Sequence, residues 1–153
     1  MAYKYYNGYY KPKNPKKYNG KDLNNIVYRS GLELKLFMYL DAHPDVIYWG
    51  SEELTVDYIS PKDNRKHRYF PDVIVKLKDR NGKIITMMIE IKPSDQVNEP
   101  KAIERGKQPT KRQINEIITY GVNQAKWAAA KVFCAQQGWV FEIMTEKDIK
   151  GLK

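Results

Sequence analysis

The stretch Arg68-Tyr69-Phe70-Pro71-Asp72, together with Ile89-Glu90-Ile91-Lys92 further along, decides how the middle of the chain folds. Residues 73–77 and 83–92 are largely apolar and predict two strands. Asp79-Arg80-Asn81-Gly82 lies between them and is typical of a tight turn. The two strands are therefore expected to pair as a β-hairpin.

This hairpin would place acidic side chains next to each other. Asp72 precedes the first strand and Glu90 follows 18 residues later, near the end of the second, so antiparallel pairing brings them together. Because strand side chains alternate, Glu90 and Lys92 share one face while Ile89 and Ile91 face the core. Carboxylate oxygens are ligands that Mg²⁺ prefers, and a neighbouring ammonium can stabilise a phosphate. The pattern predicts a metal site suited to phosphodiester chemistry.

A structural interpretation of the same residues also stands. A carboxylate within an apolar strand must be paired or bind a cation, and Lys92 can pair with Glu90 as a plain ion pair. Asp72 can be a simple strand-end carboxylate. Glu33 follows Ser30 by three residues, which is the spacing of a capping box at a helix N-terminus. On local grounds each acidic residue has both a structural and a catalytic interpretation.

The composition indicates one basic domain. The chain has 153 residues, enough for a single core, and a formal net charge of +9. This charge favours a polyanionic partner such as nucleic acid, the alternative being a basic protein kept soluble by its charge. The single cysteine, Cys134, excludes an internal disulfide and is expected to be a buried thiol in a reducing compartment. No run of 18 apolar residues is present, so a soluble, intracellular protein is expected.

Residues 1–27 are predicted to form an irregular N-terminal arm, followed by a single domain over residues 28–153. The arm is crowded with Tyr and Lys, and its first acidic residue is Asp22. Tyrosines stack on bases and lysines neutralise phosphates, so one interpretation is an arm that binds DNA or docks on a protein. The other is an arm that wraps its own domain. The sequence favours neither.

The first half of the domain predicts a helix followed by three strands. Ser30 and the helical spacing of apolar residues after it predict a helix over 31–42. Residues 54–59, 66–77 and 83–92 then predict strands, separated by turn sequences. These three strands are expected to form an antiparallel meander.

The second half predicts a helix, a fourth strand and a short terminal helix. Residues 93–109 are expected to be a long polar loop, and the helix after it is expected to break where Asn123 caps a second segment that ends at Gly138. Residues 139–144 predict the fourth strand and 145–148 begin the terminal helix. The fold class is therefore α/β (α+β), a mixed four-stranded sheet flanked by helices in the order αβββαβ.

The element order and the Asp…Glu-x-Lys pattern resemble the PD-(D/E)xK nuclease superfamily, which has a restriction-endonuclease-like core. Tyr28-Arg29-Ser30-Gly31-Leu32-Glu33 resembles the first-helix motif of several members, in which the matching Glu is catalytic. The chain is also similar to head-completion nucleases of T-even-type tailed phages over most of its length. That similarity includes Trp49-Gly50-Ser51-Glu52, Arg68-Tyr69-Phe70 and Lys126-Trp127, whereas residues 94–108 match poorly.

The resemblance implies a deoxyribonuclease that hydrolyses phosphodiesters of packaged DNA during head completion and head–tail joining. It implies catalytic roles for Glu33, Asp72, Glu90 and Lys92. Asp72 and Glu90, the carbonyl of Ile91 and also Glu33 would bind Mg²⁺, with Mn²⁺ as a substitute. Lys92 would steady the nucleophile or the charge on the phosphate.

DNA contacts are expected from basic and polar residues: Lys111, Arg112, Gln113, Arg68 and Lys107. Phosphate contacts of this kind position DNA but give little sequence preference. The expected partners are double-stranded DNA and portal, neck or other head proteins, with no membrane, in the host cytoplasm during assembly or in the virion. The alternatives are an inactive structural protein that binds DNA or the portal, and a recombination nuclease specific for branched DNA.

Overall fold

The computed structural model describes residues 7–152 of the chain. In chain order its elements are β1 (Gly8–Tyr9), a 3₁₀ turn (Pro15–Lys17), β2 (Val27–Tyr28), α1 (Gly31–Ala42), β3 (Val46–Ser51), β4 (Val56–Ile59), β5 (Lys66–Tyr69), β6 (Val73–Lys78), β7 (Ile84–Ile91), α2 (Ser94–Val97), α3 (Lys111–Gln137), β8 (Val140–Met144) and α4 (Glu146–Lys150). Ser30 caps α1, whose bounds agree with the helix predicted over 31–42.

A mixed sheet of β3, β6, β7 and β8, in that order, forms the centre of the protein. β6 is antiparallel to both β3 and β7, whereas β8 returns through α3 to run parallel to β7. The β6–β7 turn has the predicted form, since Asp79 Oδ1 accepts hydrogen bonds from the amides of Asn81 and Lys83, both at 2.9 Å. Gly82 in this turn has a φ of 78°. The predicted fold class, a mixed four-stranded sheet with helices in the order αβββαβ, is confirmed.

The prediction of which strands form the meander is wrong for its first strand. β3, not the segment 54–59, pairs with β6. The segment 56–59 is a strand, but it pairs with β5 in a separate two-stranded sheet, the β4–β5 hairpin. The predicted strand 66–77 is interrupted at Pro71, which has no N–H to donate and restricts the backbone before it. The chain therefore leaves one sheet at Tyr69 and enters the central sheet at Val73.

Each face of the central sheet carries an apolar core. The face toward α1 includes Phe37, Trp49 and Ile89, and the face toward α3 includes Met88 and Trp127. Neighbouring residues on β7 thus enter opposite cores, as strand geometry requires. Side chains of the β4–β5 hairpin complete the core beneath α3.

α3 is continuous over 27 residues, so the predicted break at Asn123 is wrong. Asn123 is buried within the helix, on the same stripe as Trp127 and Ala130. Asn is favoured at helix caps, but tertiary burial overrides that preference here. Gly138 has a φ of 74° and ends the helix, as predicted. No helix within residues 7–152 combines the length and the apolar character needed to span a bilayer.

The described part of the N-terminal arm packs against the domain. Tyr18 contacts Trp49 edge to face, with ring centres 4.8 Å apart, and both are in the core on the α1 side. The Tyr10 hydroxyl donates a hydrogen bond to the buried carboxylate of Asp41 at 2.6 Å. The Tyr- and Lys-rich residues 1–6 of the predicted arm lie outside the described residues. The boundary between residues 27 and 28 stays a prediction.

Candidate active site

Asp72 and Glu90 lie side by side at one end of the β6–β7 hairpin. The pairing of Val73 with Ile89 sets the register, so the residues one step further along each strand are neighbours. The amide of Ile91 donates a hydrogen bond to Asp72 Oδ2 at 2.7 Å, and the two carboxyl groups lie within hydrogen-bonding reach of each other. The structure therefore brings together the two acidic residues that the sequence predicts as neighbours.

Glu90 is held by a side chain from one other element and lies near the charge of a second. It is 7% exposed, and its Oε2 accepts a hydrogen bond from the hydroxyl of Tyr69 at the end of β5. The ammonium of Lys126, on α3, lies 5.8 Å from the centre of the Tyr69 ring. The hydroxyl, together with the charges of Lys92 and Lys126, favours the ionised form of Glu90. The β4–β5 hairpin thus orients this carboxylate, and α3 contributes a favourable positive charge.

Burial raises the pKa values of Asp72 and Glu90 above their ordinary range, because the charged forms lose water. The charge of Glu90 raises the pKa of Asp72 further. The ammonium of Lys92 lowers the pKa values of both residues and opposes this effect. The pair therefore carries negative charge that its surroundings compensate only in part, a condition that favours binding of a cation.

Glu33 lies in the first turn of α1, next to the acidic pair. Its amide donates to Ser30 Oγ at 3.1 Å, whereas its Oε2 accepts from the amide of Arg29 at 3.0 Å. In a capping box the Glu33 carboxylate would accept from the amide of the cap residue, Ser30. Here it accepts from the amide one residue earlier, which is a variation on the predicted box. Burial raises the pKa of Glu33 to about 7, and the charge of Asp72 acts in the same direction. Glu33 therefore caps the helix and also interacts with the acidic pair, and its catalytic role stays a prediction.

Glu33 and Lys92 face open space. Both line a cavity of about 660 Å³ beside α2. A groove of about 700 Å³ runs along α3, and Asp95 and Gln96 of α2 line both spaces. The groove is also lined by Arg112 near the start of α3. The cavity lined by Glu33 and Lys92 therefore adjoins a groove that reaches the basic start of α3.

Two of the residues predicted to contact DNA are already paired with acidic side chains. Lys107 pairs with Glu104 at 2.7 Å, and Arg112 pairs with Glu116 at 3.2 Å. All four side chains are largely exposed, and exposed pairs of this kind are weak. Both cations can therefore exchange these partners for phosphates at little cost.

The other predicted DNA contacts differ in their surroundings. Lys111 and Arg68 are exposed, and the Arg68 guanidinium lies 5.9 Å from the centre of the Phe70 ring. Gln113 has a structural task, since its side chain accepts from the amide of Thr110 at 2.8 Å and completes the capping box of α3. A DNA contact from Gln113 would compete with this cap.

Three residues at the site were not among the predicted catalytic residues: Tyr69, Lys126 and Glu52. Tyr69 reaches Glu90 only because the chain bends at Pro71, which strand periodicity does not indicate. Lys126 is half-buried beside Trp127 on α3, and its position in the sequence does not by itself mark it as a residue of the site. Glu52 has a φ of 54°, and no local sequence signature predicts that conformation for Glu.

The donor set fits a hard divalent cation in its chemistry. Within residues 7–152, no three His, Cys, Asp or Glu side chains are arranged to hold a metal ion together. Asp72 and Glu90 nevertheless offer adjacent carboxylates of raised pKa, and Ile91 follows directly with its carbonyl. Carboxylate and carbonyl oxygens are the ligands of Mg²⁺ and related ions. Whether Glu33 joins them as a ligand stays a prediction.

Comparison with known proteins identifies the family of the chain. The family model described as "TnsA-like endonuclease N terminal" matches residues 43–146, a range that contains Asp72, Glu90 and Lys92, whereas Glu33 precedes it. The chain is 38% identical over 148 residues to the head completion nuclease of Enterobacteria phage T4, covering 96% of this chain and 95% of that protein. The resemblance stated from the sequence is thereby confirmed. The chain belongs to the TnsA-like endonucleases, a family of PD-(D/E)xK-type nucleases.

Proposed function

We propose that the protein hydrolyses phosphodiester bonds of double-stranded DNA with the help of a divalent cation, Mg²⁺ in the cell and Mn²⁺ as a substitute. The observation that carries this proposal is the pair of half-buried Asp72 and buried Glu90 beside Lys92, on a chain that belongs to a nuclease family. PD-(D/E)xK-type nucleases typically use divalent metals.

Asp72, Glu90 and the Ile91 carbonyl are the proposed ligands. A bound divalent cation supplies charge neutralisation at the phosphate and lowers the pKa of a coordinated water. The amide of Ile91 fixes one oxygen of Asp72, and the Tyr69 hydroxyl fixes one oxygen of Glu90. Each carboxylate keeps a second oxygen, so the pair is oriented before the cation arrives.

Lys92 is the proposed electrostatic partner of the phosphate. It lies close enough to Asp72 and Glu90 to lower the pKa values of both, and it lines the open cavity with Glu33. Its ammonium can thus contact the acidic pair and a phosphate that enters the cavity. Negative charge that develops on the phosphate during hydrolysis would be stabilised by this ammonium, which is already in place.

The proposed biological role is completion of a phage head, by similarity to the T4 protein named for that function. The nuclease would act in the host cytoplasm during assembly, with packaged DNA as substrate and portal, neck or other head proteins as partners. A place in the finished virion and a role in head–tail joining are part of the same proposal. The formal net charge of +9 suits a DNA partner.

Proposed phosphate contacts extend from the site toward the start of α3. Lys111 and Arg112 begin this helix, Lys107 precedes it in the chain, and Arg68 lies on the β4–β5 hairpin next to Tyr69. Each phosphate neutralised releases counterions, so DNA binding should weaken steeply as salt concentration rises. Replacing Lys111 and Arg112 together with Ala should reduce that slope by about 2, because two phosphates would no longer be neutralised.

The function is tested by incubating the protein with linear duplex, covalently closed circular duplex and four-way-junction DNA, with Mg²⁺ and with EDTA. Cleavage of duplex DNA only when Mg²⁺ is present supports the proposal. Cleavage of the junction alone would indicate the branched-DNA nuclease. Binding without cleavage of any substrate would indicate an inactive structural protein and overturn the proposal.

A further inference from the structure

Arg29 and Glu52 form an ion pair at the rim of the acidic site. The backbone amides of both residues donate hydrogen bonds to residues of the acidic site. The amide of Arg29 donates to the Glu33 carboxylate at 3.0 Å, and the amide of Glu52 donates to the carbonyl of Asp72 at 3.1 Å. The pair therefore connects the start of α1 with the start of β6, next to the proposed metal ligands.

Glu52 occupies an unusual backbone conformation for its residue type. Its φ of 54° lies in the left-handed region, which favours Gly, Asn and Asp. The other non-glycine residue with positive φ in the described chain is Asn64, a type that tolerates this region. A strained conformation persists where the surrounding structure requires it, which is frequent at functional sites. Gly would suit the backbone at position 52 better, so the Glu side chain there is a candidate for a functional role.

The charge of Glu52 is unfavourable for the acidic site on its own. It raises the pKa values of both Glu33 and Asp72, so it adds to the repulsion within the site. It would also repel a DNA phosphate. The arrangement is favourable only because Glu52 holds the guanidinium of Arg29, whose positive charge lowers the pKa of Glu33.

We propose that Glu52 is a positioning residue that holds the Arg29 guanidinium at the rim of the site, where Arg29 binds a backbone phosphate of the DNA substrate. The inference rests on the proposed nuclease function. The Arg29 side chain is 58% exposed and contacts Glu52 through Nη1, which leaves the other guanidinium nitrogens as donors. A planar guanidinium can bind two phosphate oxygens at once. The pair thus keeps a phosphate-binding cation beside carboxylates that would otherwise repel the substrate.

The first test compares Arg29→Ala, Arg29→Lys and Glu52→Gln with the parent protein on linear duplex DNA in Mg²⁺. Arg29→Ala should raise KM about tenfold or more, the effect of losing a charged hydrogen bond, and should change kcat less. Arg29→Lys should recover part of this loss. Glu52→Gln should raise KM by a smaller factor. Thermal unfolding should change little in all three, because an exposed ion pair contributes little stability.

Exchanging the two charges distinguishes a phosphate-binding Arg29 from an ion pair that only holds the start of α1 against the start of β6. In the double variant Arg29→Glu with Glu52→Arg, the ion pair is restored but its cation moves to position 52. The proposal expects a parental unfolding temperature with KM still raised. Parental KM in the double variant would show that the ion pair has only a structural role and would overturn the proposal. Parental KM in Arg29→Lys, Arg29→Ala and Glu52→Gln alike would overturn it as well.

Glycine substitutions provide a matched control for backbone strain. Glu52→Gly and Asn64→Gly each place Gly at a left-handed position, so neither should lower the unfolding temperature. Only Glu52→Gly should raise KM, and an unchanged KM there would overturn the proposal. A parent protein that cleaves no DNA would instead refute the nuclease function itself, so the two failures are distinguishable.

Discussion

Two buried acidic regions of this protein are built in opposite ways. Asp41 on α1 is 1% exposed, and its carboxylate accepts from the Tyr10 hydroxyl at 2.6 Å and from the amides of Lys13 and Asn14 at 2.7 and 3.0 Å. Both oxygens are engaged by donors from the N-terminal arm. Buried polar groups of a stable fold are satisfied in this manner. Asp41 therefore anchors the arm.

The carboxylates of Asp72 and Glu90 accept fewer hydrogen bonds than the carboxylate of Asp41. One oxygen of Asp72 accepts from the amide of Ile91, one oxygen of Glu90 accepts from Tyr69, and each carboxylate has the other beside it. Their raised pKa values follow from burial and from this proximity. A carboxylate saturated with donors stabilises structure, whereas an undercompensated pair beside an open cavity is suited to binding a cation. The comparison predicts that substitutions in the two regions affect different properties.

The largest expected effect is on cleavage, from Asp72→Asn. The loss of a metal ligand should reduce the rate of duplex cleavage in Mg²⁺ by about a thousandfold or more, since metal catalysis supplies several kcal/mol. The substitution also removes one charge of a repelling pair, so the unfolding temperature should stay the same or rise. Initial rates and thermal unfolding check both statements. Cleavage at the parental rate would place the reaction elsewhere.

Asp41→Ala should affect stability instead. The Tyr10 hydroxyl and two arm amides would lose their acceptor, so the free energy of unfolding should fall by about 3 kcal/mol. Urea denaturation measures this change, and Asp45→Ala, at an exposed position three residues beyond α1, is the matched control. The kcat of the folded protein should be unchanged. A large loss of kcat in folded Asp41→Ala would remove the distinction between the two regions.

Tyr69→Phe sharpens the comparison within the acidic site. Glu90 would lose its hydroxyl donor, and cleavage should fall about tenfold, the effect of one hydrogen bond to a charged group. Tyr58→Phe is the matched control, because Tyr58 lies on the same hairpin and its ring is also close to Lys126, at 5.9 Å. The control should cleave normally. Equal losses in both variants would indicate a general disturbance of the hairpin.

The pH dependence of stability tests the electrostatics of the acidic site. The pKa of Glu33 is raised to about 7, and the pKa values of Asp72 and Glu90 are also raised, so the folded protein binds more protons than the unfolded chain above about pH 4.5. Stability without metal should therefore fall as pH rises from about 4.5 to 7. Denaturation in EDTA measures this slope, and Asp72→Asn should flatten it. A rise of stability with pH would contradict the electrostatics.

The β6–β7 hairpin was predictable because its determinants are local. The turn at residues 79–82 and the apolar segments around it set the register, and the register alone places Asp72 beside Glu90. The partner of β6 on its other edge was not predictable in the same way. Residues 46–51 and 56–59 both form strands, and the bend at Pro71 decides which of them joins the central sheet.

The parts of the site that depend on distant contacts were missed. Tyr69 hydrogen-bonds Glu90 from a hairpin, and Lys126 lies near Tyr69 on a helix, and no local pattern brings these elements together. Asn123 lies inside α3 because its side chain is buried against the core. The preference of Asn for helix caps predicts a helix end there instead. Glu52 adopts a conformation that the sequence gives no reason to expect from Glu. Local chemistry therefore identified the acidic pair, and tertiary packing supplied the residues that orient it.

Titration of Mn²⁺ into the metal-free protein, followed by calorimetry, tests the central claim most directly because it does not depend on cleavage. The parent should bind Mn²⁺ and gain thermal stability, whereas Asp72→Asn and Glu90→Gln should lose most of the binding heat and the stabilisation. Asp41→Asn should bind as the parent does. Equal Mn²⁺ binding by the parent, Asp72→Asn and Glu90→Gln would contradict the assignment of this pair as the metal site.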